Sequence, residues 1–199
     1  MFKRTLLAVS LLTLSGSVLS DCKSPLLDNY LQPTGHTNLI QCKSVPNYNH
    51  LTLFLIPSDL NPDSDIDVDI LLVNQSGTIE SMVHSPKYLS KDTFETSIDT
   101  ANYKLNENRR AFGINVNMGN YVNRDLYIIE GQDIRLIAQG IGVELSGEDA
   151  TIKRTIDIGK MDKSGYADLI VKENKTKYTL KYNETTGMYD VPNSLRYSF

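Results

Sequence analysis

The chain has 199 residues, 40% of them hydrophobic, and a formal charge of −4 at pH 7 with a pI near 5.4. That length suits one domain, or one domain built from two similar halves. The acidic balance, with no basic run, argues against a nucleic-acid or anionic-membrane binder and leaves a protein partner or plain solvation as the use of the surface.

Residues 1–20 have the pattern of a secretory signal peptide. Lys3 and Arg4 supply the positive start, and Leu6–Leu14 is an apolar run about half the length of a bilayer span. Val18-Leu19-Ser20 offers a cleavage site. The expected mature chain is residues 21–199, a single all-β domain in the bacterial periplasm, not inserted in the membrane after cleavage. It keeps 18 basic and 24 acidic residues, a charge of −6. Lipidation at Cys22 is the competing reading, and Asp21 beside it fits that poorly. Cys22 and Cys42 are the only cysteines. In an exported chain they are expected to pair as a disulfide, closing a loop for roughly 3 kcal/mol. No histidine pair lies near them to complete a zinc site.

Lys23–His50 holds three prolines and little periodicity, with one short strand expected near Leu39–Cys42. Leu51–Ile56 is a compact apolar run and is expected to be a buried strand. Asp59–Asp63 is a turn, Ile66–Val73 a strand, Asn74–Gly77 a turn, Thr78–Val83 a strand and Ser85–Ser90 a loop. Phe94–Met118 then gives two alternating strands around the charged turn 106–110. Phe94, Thr96, Ile98 and Thr100 share one side of the first; Phe112, Ile114, Val116 and Met118 share one side of the second. Tyr121–Glu130 and Ile134–Gln139 form a hairpin about Gly131, and Ile141–Leu145 continues apolar. Thr151–Ile158 alternates, with Ile152, Arg154, Ile156 and Ile158 on one parity. Ala167–Lys172, Lys177–Tyr182 and Met188–Val191 complete the set. About twelve short strands and no amphipathic helix predict an antiparallel all-β sandwich or a propeller-like array.

The chemistry-bearing residues are sparse. The acidic run Asp59, Asp63, Asp65, Asp67, Asp69 has neither the glycine nor the late glutamate of an EF-type calcium loop. Ile66, Val68 and Ile70 alternate with its last three members, so it is expected to be a strand with a solvated acidic face. His36, His50 and His84 show no metal-ligand spacing, and there is no nucleophile elbow and no phosphate loop. Asp99 is expected to be a solvated strand residue. Arg109 and Arg110 are either solvated or contacts for an acidic partner. No cofactor, no metal and no catalytic residue is expected.

Two stretches carry resemblances. Asp162-Lys163-Ser164-Gly165-Tyr166-Ala167-Asp168-Leu169 resembles a degenerate Gly-x-x-Asp-Leu repeat loop of secreted β-propellers. There, acidic side chains before the glycine bind calcium; here Lys160, Asp162 and Ser164 stand at those positions, which implies the turn without the ion. Ile98-Asp99-Thr100-Ala101, Tyr103, Leu105 and Arg110-Ala111-Phe112-Gly113 are similar to a pattern in largely uncharacterised secreted proteins of Gram-negative bacteria. The likeness runs through Leu126–Ile137 to Gly187-Met188-Tyr189. Some exported β-rich proteins of this kind are immunity proteins or inhibitors. The resemblance therefore implies a non-enzymatic binding protein whose partner is a secreted effector or an envelope hydrolase, with Asn106, Glu107, Arg109 and Arg110 as candidate contacts. The alternative is a structural or ligand-binding envelope module.

Overall fold

A computed structural model describes residues 41–45, 48–57, 66–89, 95–147 and 151–197. The expected signal peptide, Cys22, and Asp59, Asp63 and Asp65 lie outside these residues. Thirteen strands follow in order among them: β1 (Gln41–Val45), β2 (Tyr48–Pro57), β3 (Ile66–Asn74), β4 (Ile79–Leu89), β5 (Glu95–Lys104), β6 (Arg110–Asn117), β7 (Tyr121–Glu130), β8 (Asp133–Ser146), β9 (Thr151–Met161), β10 (Ala167–Glu173), β11 (Thr176–Leu180), β12 (Tyr182–Asn183) and β13 (Met188–Tyr189). A 3-10 turn covers Asn193–Leu195.

The strands form antiparallel meanders. One sheet has the order β1-β2-β3-β4 and a second the order β11-β10-β9-β8-β7-β6-β5, with β12 and β13 pairing separately. The second sheet doubles over. Only residues 144–146 of β8 pair with β9, at 151–153, and the rest of β9 pairs with β10. The result is three stacked layers: β1–β4, then β5–β8, then β9–β11 with the C-terminal segment. Among the described residues no barrel closes and the sheets stack in layers rather than radially, so the architecture is the sandwich, not the propeller-like array.

The middle layer is apolar on both faces, which is why β7 contains the unbroken run Leu126-Tyr127-Ile128-Ile129. Tyr127, Ile129, Phe112 and Ile114 pack against Leu53, Leu55, Ile70 and Leu72 of the first sheet. Leu126 and Ile128 face the other way, onto Ile156, Leu169, Val171 and Leu180. A pleated strand sends successive side chains to opposite faces, so each core takes every second residue.

The edges of the first sheet are tied down. Gln41 of β1 donates from Nε2 to the Thr96 carbonyl (2.5 Å) and accepts the Ile98 N–H at Oε1 (3.2 Å). Its side-chain amide thus stands in for a peptide group along the β5 edge, which an open strand would otherwise expose to any passing chain. At the opposite edge, Ser81 Oγ of β4 accepts the Ile134 N–H at 3.1 Å.

The strand expected near Leu39–Cys42 is described from Gln41 to Val45, and its Leu39 and Ile40 lie outside the described residues. Two expectations shift. The segment from Ser85 to Leu89, expected to be a loop, continues β4; its Pro86 is tolerated because β4 is an edge strand. Ile134–Gln139 and Ile141–Leu145 are one strand. Gly140 sits at φ +69° and gives its N–H to Asp125 Oδ1 at 2.6 Å, so the irregularity is absorbed as a bulge.

Candidate functional site

The turns β5–β6, β7–β8 and β9–β10 all lie at one end of the sandwich, and side chains lock them together. Asn106 builds the first turn. Its Oδ1 accepts the N–H groups of Asn108 and Arg109 at 2.9 and 2.8 Å, the local bond that suits asparagine to turns. Its Nδ2 donates to the Gly165 carbonyl at 2.9 Å, joining this turn to the next. In that second turn, Asp162 Oδ1 accepts the Ser164 N–H at 2.8 Å and Gly165 takes φ +76°. Asp168, further on, is held by Lys181 at 3.3 Å. Ala167 N–H donates to the Leu105 carbonyl at 2.9 Å and closes the join.

Glu130 is the centre of the cluster. One oxygen accepts from Arg109 Nε at 2.9 Å and the Tyr166 hydroxyl at 3.1 Å. The other takes Arg135 Nε and one of its terminal nitrogens, each at 3.1 Å. Arg135 also donates to the Gly187 carbonyl at 2.5 Å and to the hydroxyls of Tyr182 (3.2 Å) and Tyr166 (3.0 Å). The Tyr166 and Tyr182 rings stack at 3.8 Å, Tyr189 meets Tyr182 edge-on, and the Arg109 guanidinium lies 4.8 Å from the Tyr166 ring centre. Partial burial alone would raise the Glu130 pKa. The hydrogen bond from Tyr166 and the two guanidinium groups outweigh it and hold the carboxyl below its usual value.

On this frame sits a shallow depression of about 470 Å³ lined by Asn106, Glu107, Asn108, Arg109, Met161 and Gly165. Of the four sequence candidates, Asn106, Glu107 and Arg109 come together there. Asn106 is occupied as a turn builder, and Arg109 is bound to Glu130 rather than merely solvated. Arg110 lies on β6 opposite Lys104 and is outside the lining. Glu107 and Asn108 are exposed, and Met161 is 55% exposed, one of two large hydrophobic side chains so displayed among the described residues. Sequence reasoning missed Glu130, Arg135, Tyr166 and Met161. One signal was available: with Ile134 and Leu136 facing the first core, Arg135 had to face the other side of the same sheet.

A second polar site opens between the middle and third layers. It is a cleft of about 570 Å³ whose lining includes Asp99, Tyr103, Arg124, Arg154, Thr155 and Asp157. The register of β5 against β6 skips from Asp99 to Tyr103. The bulge brings Asp99 to 2.7 Å from Arg124 and 3.0 Å from the Tyr103 hydroxyl. Arg124 also bonds the Tyr103 hydroxyl and donates to Asn115 Oδ1 at 2.7 Å. Asp99 is therefore a half-buried, ion-paired residue, not a solvated one. Asp69, from the acidic run, accepts His84 at 2.9 Å. Among the described residues no group of three or more His, Cys, Asp or Glu is placed to hold a metal ion, and no helix is long and apolar enough to cross a membrane.

Both sites hold tyrosines in their neutral form. Burial pushes Tyr103 up to about 12, against the pull of Arg124 and with the help of Asp99. Burial, then hydrogen bonds to Tyr182 and Glu130, pushes Tyr166 to about 12. A pKa raised above the unfolded value near 10 contributes stability that is complete below pH 10 and is lost as pH climbs toward 12. Titration followed at 295 nm should show late-ionising tyrosines whose absorbance rises together with loss of the β circular-dichroism signal. Tyr103→Phe should diminish that alkaline loss. Uniform ionisation near pH 10 with the fold intact would contradict the buried networks.

No protein-family model matches the chain, and neither the curated proteins nor the solved structures contain a match to it.

Proposed function

We propose that this chain is an exported, non-enzymatic binding protein of the bacterial envelope, of the immunity or inhibitor type, that covers the cleft of a secreted effector or envelope hydrolase with its turn-bearing end. The observation that carries the reading is the Glu130–Arg135 cluster. It fixes three turns and the β12–β13 hairpin in one geometry while leaving Glu107, Asn108 and Met161 displayed. Pre-ordered side chains avoid the cost of immobilising loops on binding, which is where much interface energy is otherwise lost. In this reading residues 1–20 are removed on export. Cys42, which is buried on the outer face of the first sheet beside Phe54 and Leu71, pairs with Cys22.

The test is capture from the envelope fraction of the producing bacterium on the full chain, followed by assay of the captured protein's hydrolytic or toxic activity. A stoichiometric partner whose activity falls on adding the pure chain is the expected result. The double variant Glu107→Arg/Met161→Glu should weaken that complex at least about tenfold. Both positions are exposed, so the melting temperature should hold. Undiminished activity of every captured protein would reject the inhibitor reading. The alternative, a ligand-binding envelope module, is favoured by one observation, the cleft between Arg124 and Arg154. It would gain if small polar ligands, rather than a protein, raised the melting temperature.

A further inference from the structure

Charge is unevenly distributed along this acidic chain. Between Thr151 and Lys181 there are eight basic and four acidic residues, whereas the whole chain has 20 basic and 24 acidic. That stretch is the third layer. Leu169, Val171 and Leu180 point into the core, so Lys172 of β10 and Lys177 of β11 point outward. They are direct cross-strand partners, and like charges so placed repel. Lys172 has Asp157 as an ion-pair partner. Lys175 and Lys177 are exposed and have no ion-pair partner among the described residues.

The strand that carries Lys177, with Lys175 in the turn just before it, is also open. β11 ends the seven-stranded order and pairs only with β10, so one row of its backbone N–H and C=O groups along 176–180 has no strand beside it among the described residues. Lysines on an edge strand are a common guard against unwanted pairing. A guard needs Lys175 and Lys177 alone. It does not require Lys172, one strand in and directly opposite Lys177. The same arrangement matches strand addition, in which backbone bonds supply affinity and alternate side chains supply selectivity. A nucleic acid would need aromatic stacking platforms on this face, and Tyr178 packs toward the core instead.

We propose that the outer edge of β11 takes an extended acidic segment of a partner protein as an added strand, with its carboxylates set against Lys172, Lys175 and Lys177. Lys172, Lys175 and Lys177 lie toward the opposite end of the third layer from the Asn106–Arg109 turn, because β10 starts at the turn-bearing end and the β10–β11 turn is at the other. The proposal therefore stands independently of the inhibitor reading.

The experiment is a fluorescence-anisotropy titration of the full chain with a short labelled peptide alternating glutamate and valine. Saturable binding is expected, falling as salt is raised. Lys175→Glu/Lys177→Glu should weaken it about tenfold or more with the melting temperature and any turn-end complex unchanged. If that variant misfolds, Lys175→Gln/Lys177→Gln serves instead. The same peptide N-methylated at alternate residues should not bind, because it cannot complete a ladder. Any of three results overturns the proposal: no binding at millimolar chain, equal binding of the N-methylated peptide, or a single-stranded oligonucleotide binding as tightly as the acidic peptide.

Discussion

Tyr127→Ala should destabilise the fold by about 4 kcal/mol, the usual range for deleting a large core aromatic. Tyr127 is 2% exposed in the middle of the middle layer. Its ring stacks on Phe112 with centroids 5.6 Å apart and planes 17° from parallel. Alanine would leave a void between the first sheet and β6–β7, where neither partner sheet can collapse without breaking register. The lost ring contact adds to the lost burial by about 1 kcal/mol. Urea unfolding checks this as a drop in midpoint at constant slope. Tyr127→Phe keeps the ring and should retain most of the stability. A loss below about 1 kcal/mol for the alanine variant would mean that the first sheet does not rest on this ring.

Glu173→Ala should cost about 3 kcal/mol for an electrostatic reason. The Arg154 side chain is only 7% exposed, and its Nε lies 2.6 Å from Glu173. Removing the carboxylate strands a buried guanidinium, which is more costly than never having had the pair. The same guanidinium donates to the carbonyls of Gly142 and Leu195 at 3.3 Å each and lies 4.8 Å from the Tyr197 ring centre. It fills the place where β8 and β9 part and where residues 195–197 tuck in. A Cβ on Gly142 would come within 2.5 Å of the Tyr197 ring, so little slack exists there. Glu173→Ala should therefore also raise amide exchange at 195–197. The double change Arg154→Met/Glu173→Met should cost less than the sum of the two single losses, with the difference measuring the coupling. Simple additivity would show that the pair is solvated.

The all-β class, the β5–β6 hairpin and the β9 parity were legible because each depends on local alternation. Ile156 and Ile158 do face the core as their spacing required. The bulge at Gly140 was not legible, because its N–H is satisfied by Asp125, 15 residues earlier. Nor was Pro86 inside a strand, since only the sheet order makes β4 an edge. At the turn-bearing end, Asn106 was legible as a turn residue, but the partners of Arg135 come from Tyr182 and Gly187, 47 and 52 residues onward. Two-residue periodicity says which face a side chain takes. It does not say which distant segment will cover that face.

The Gln41 clasp has a consequence for the order in which the chain assembles. Every hairpin in these meanders closes between sequence neighbours and can form early, because short loops carry the smallest closure entropy. The clasp joins residues 55 and 57 positions apart, and it can close only after β5 exists and the first sheet has docked. Gln41→Ala would therefore act mainly on the unfolding rate, leaving the folding rate nearly untouched, as expected of a contact made after the transition state. The amide would then act as a kinetic latch, setting how long the native state lasts rather than how fast it is reached.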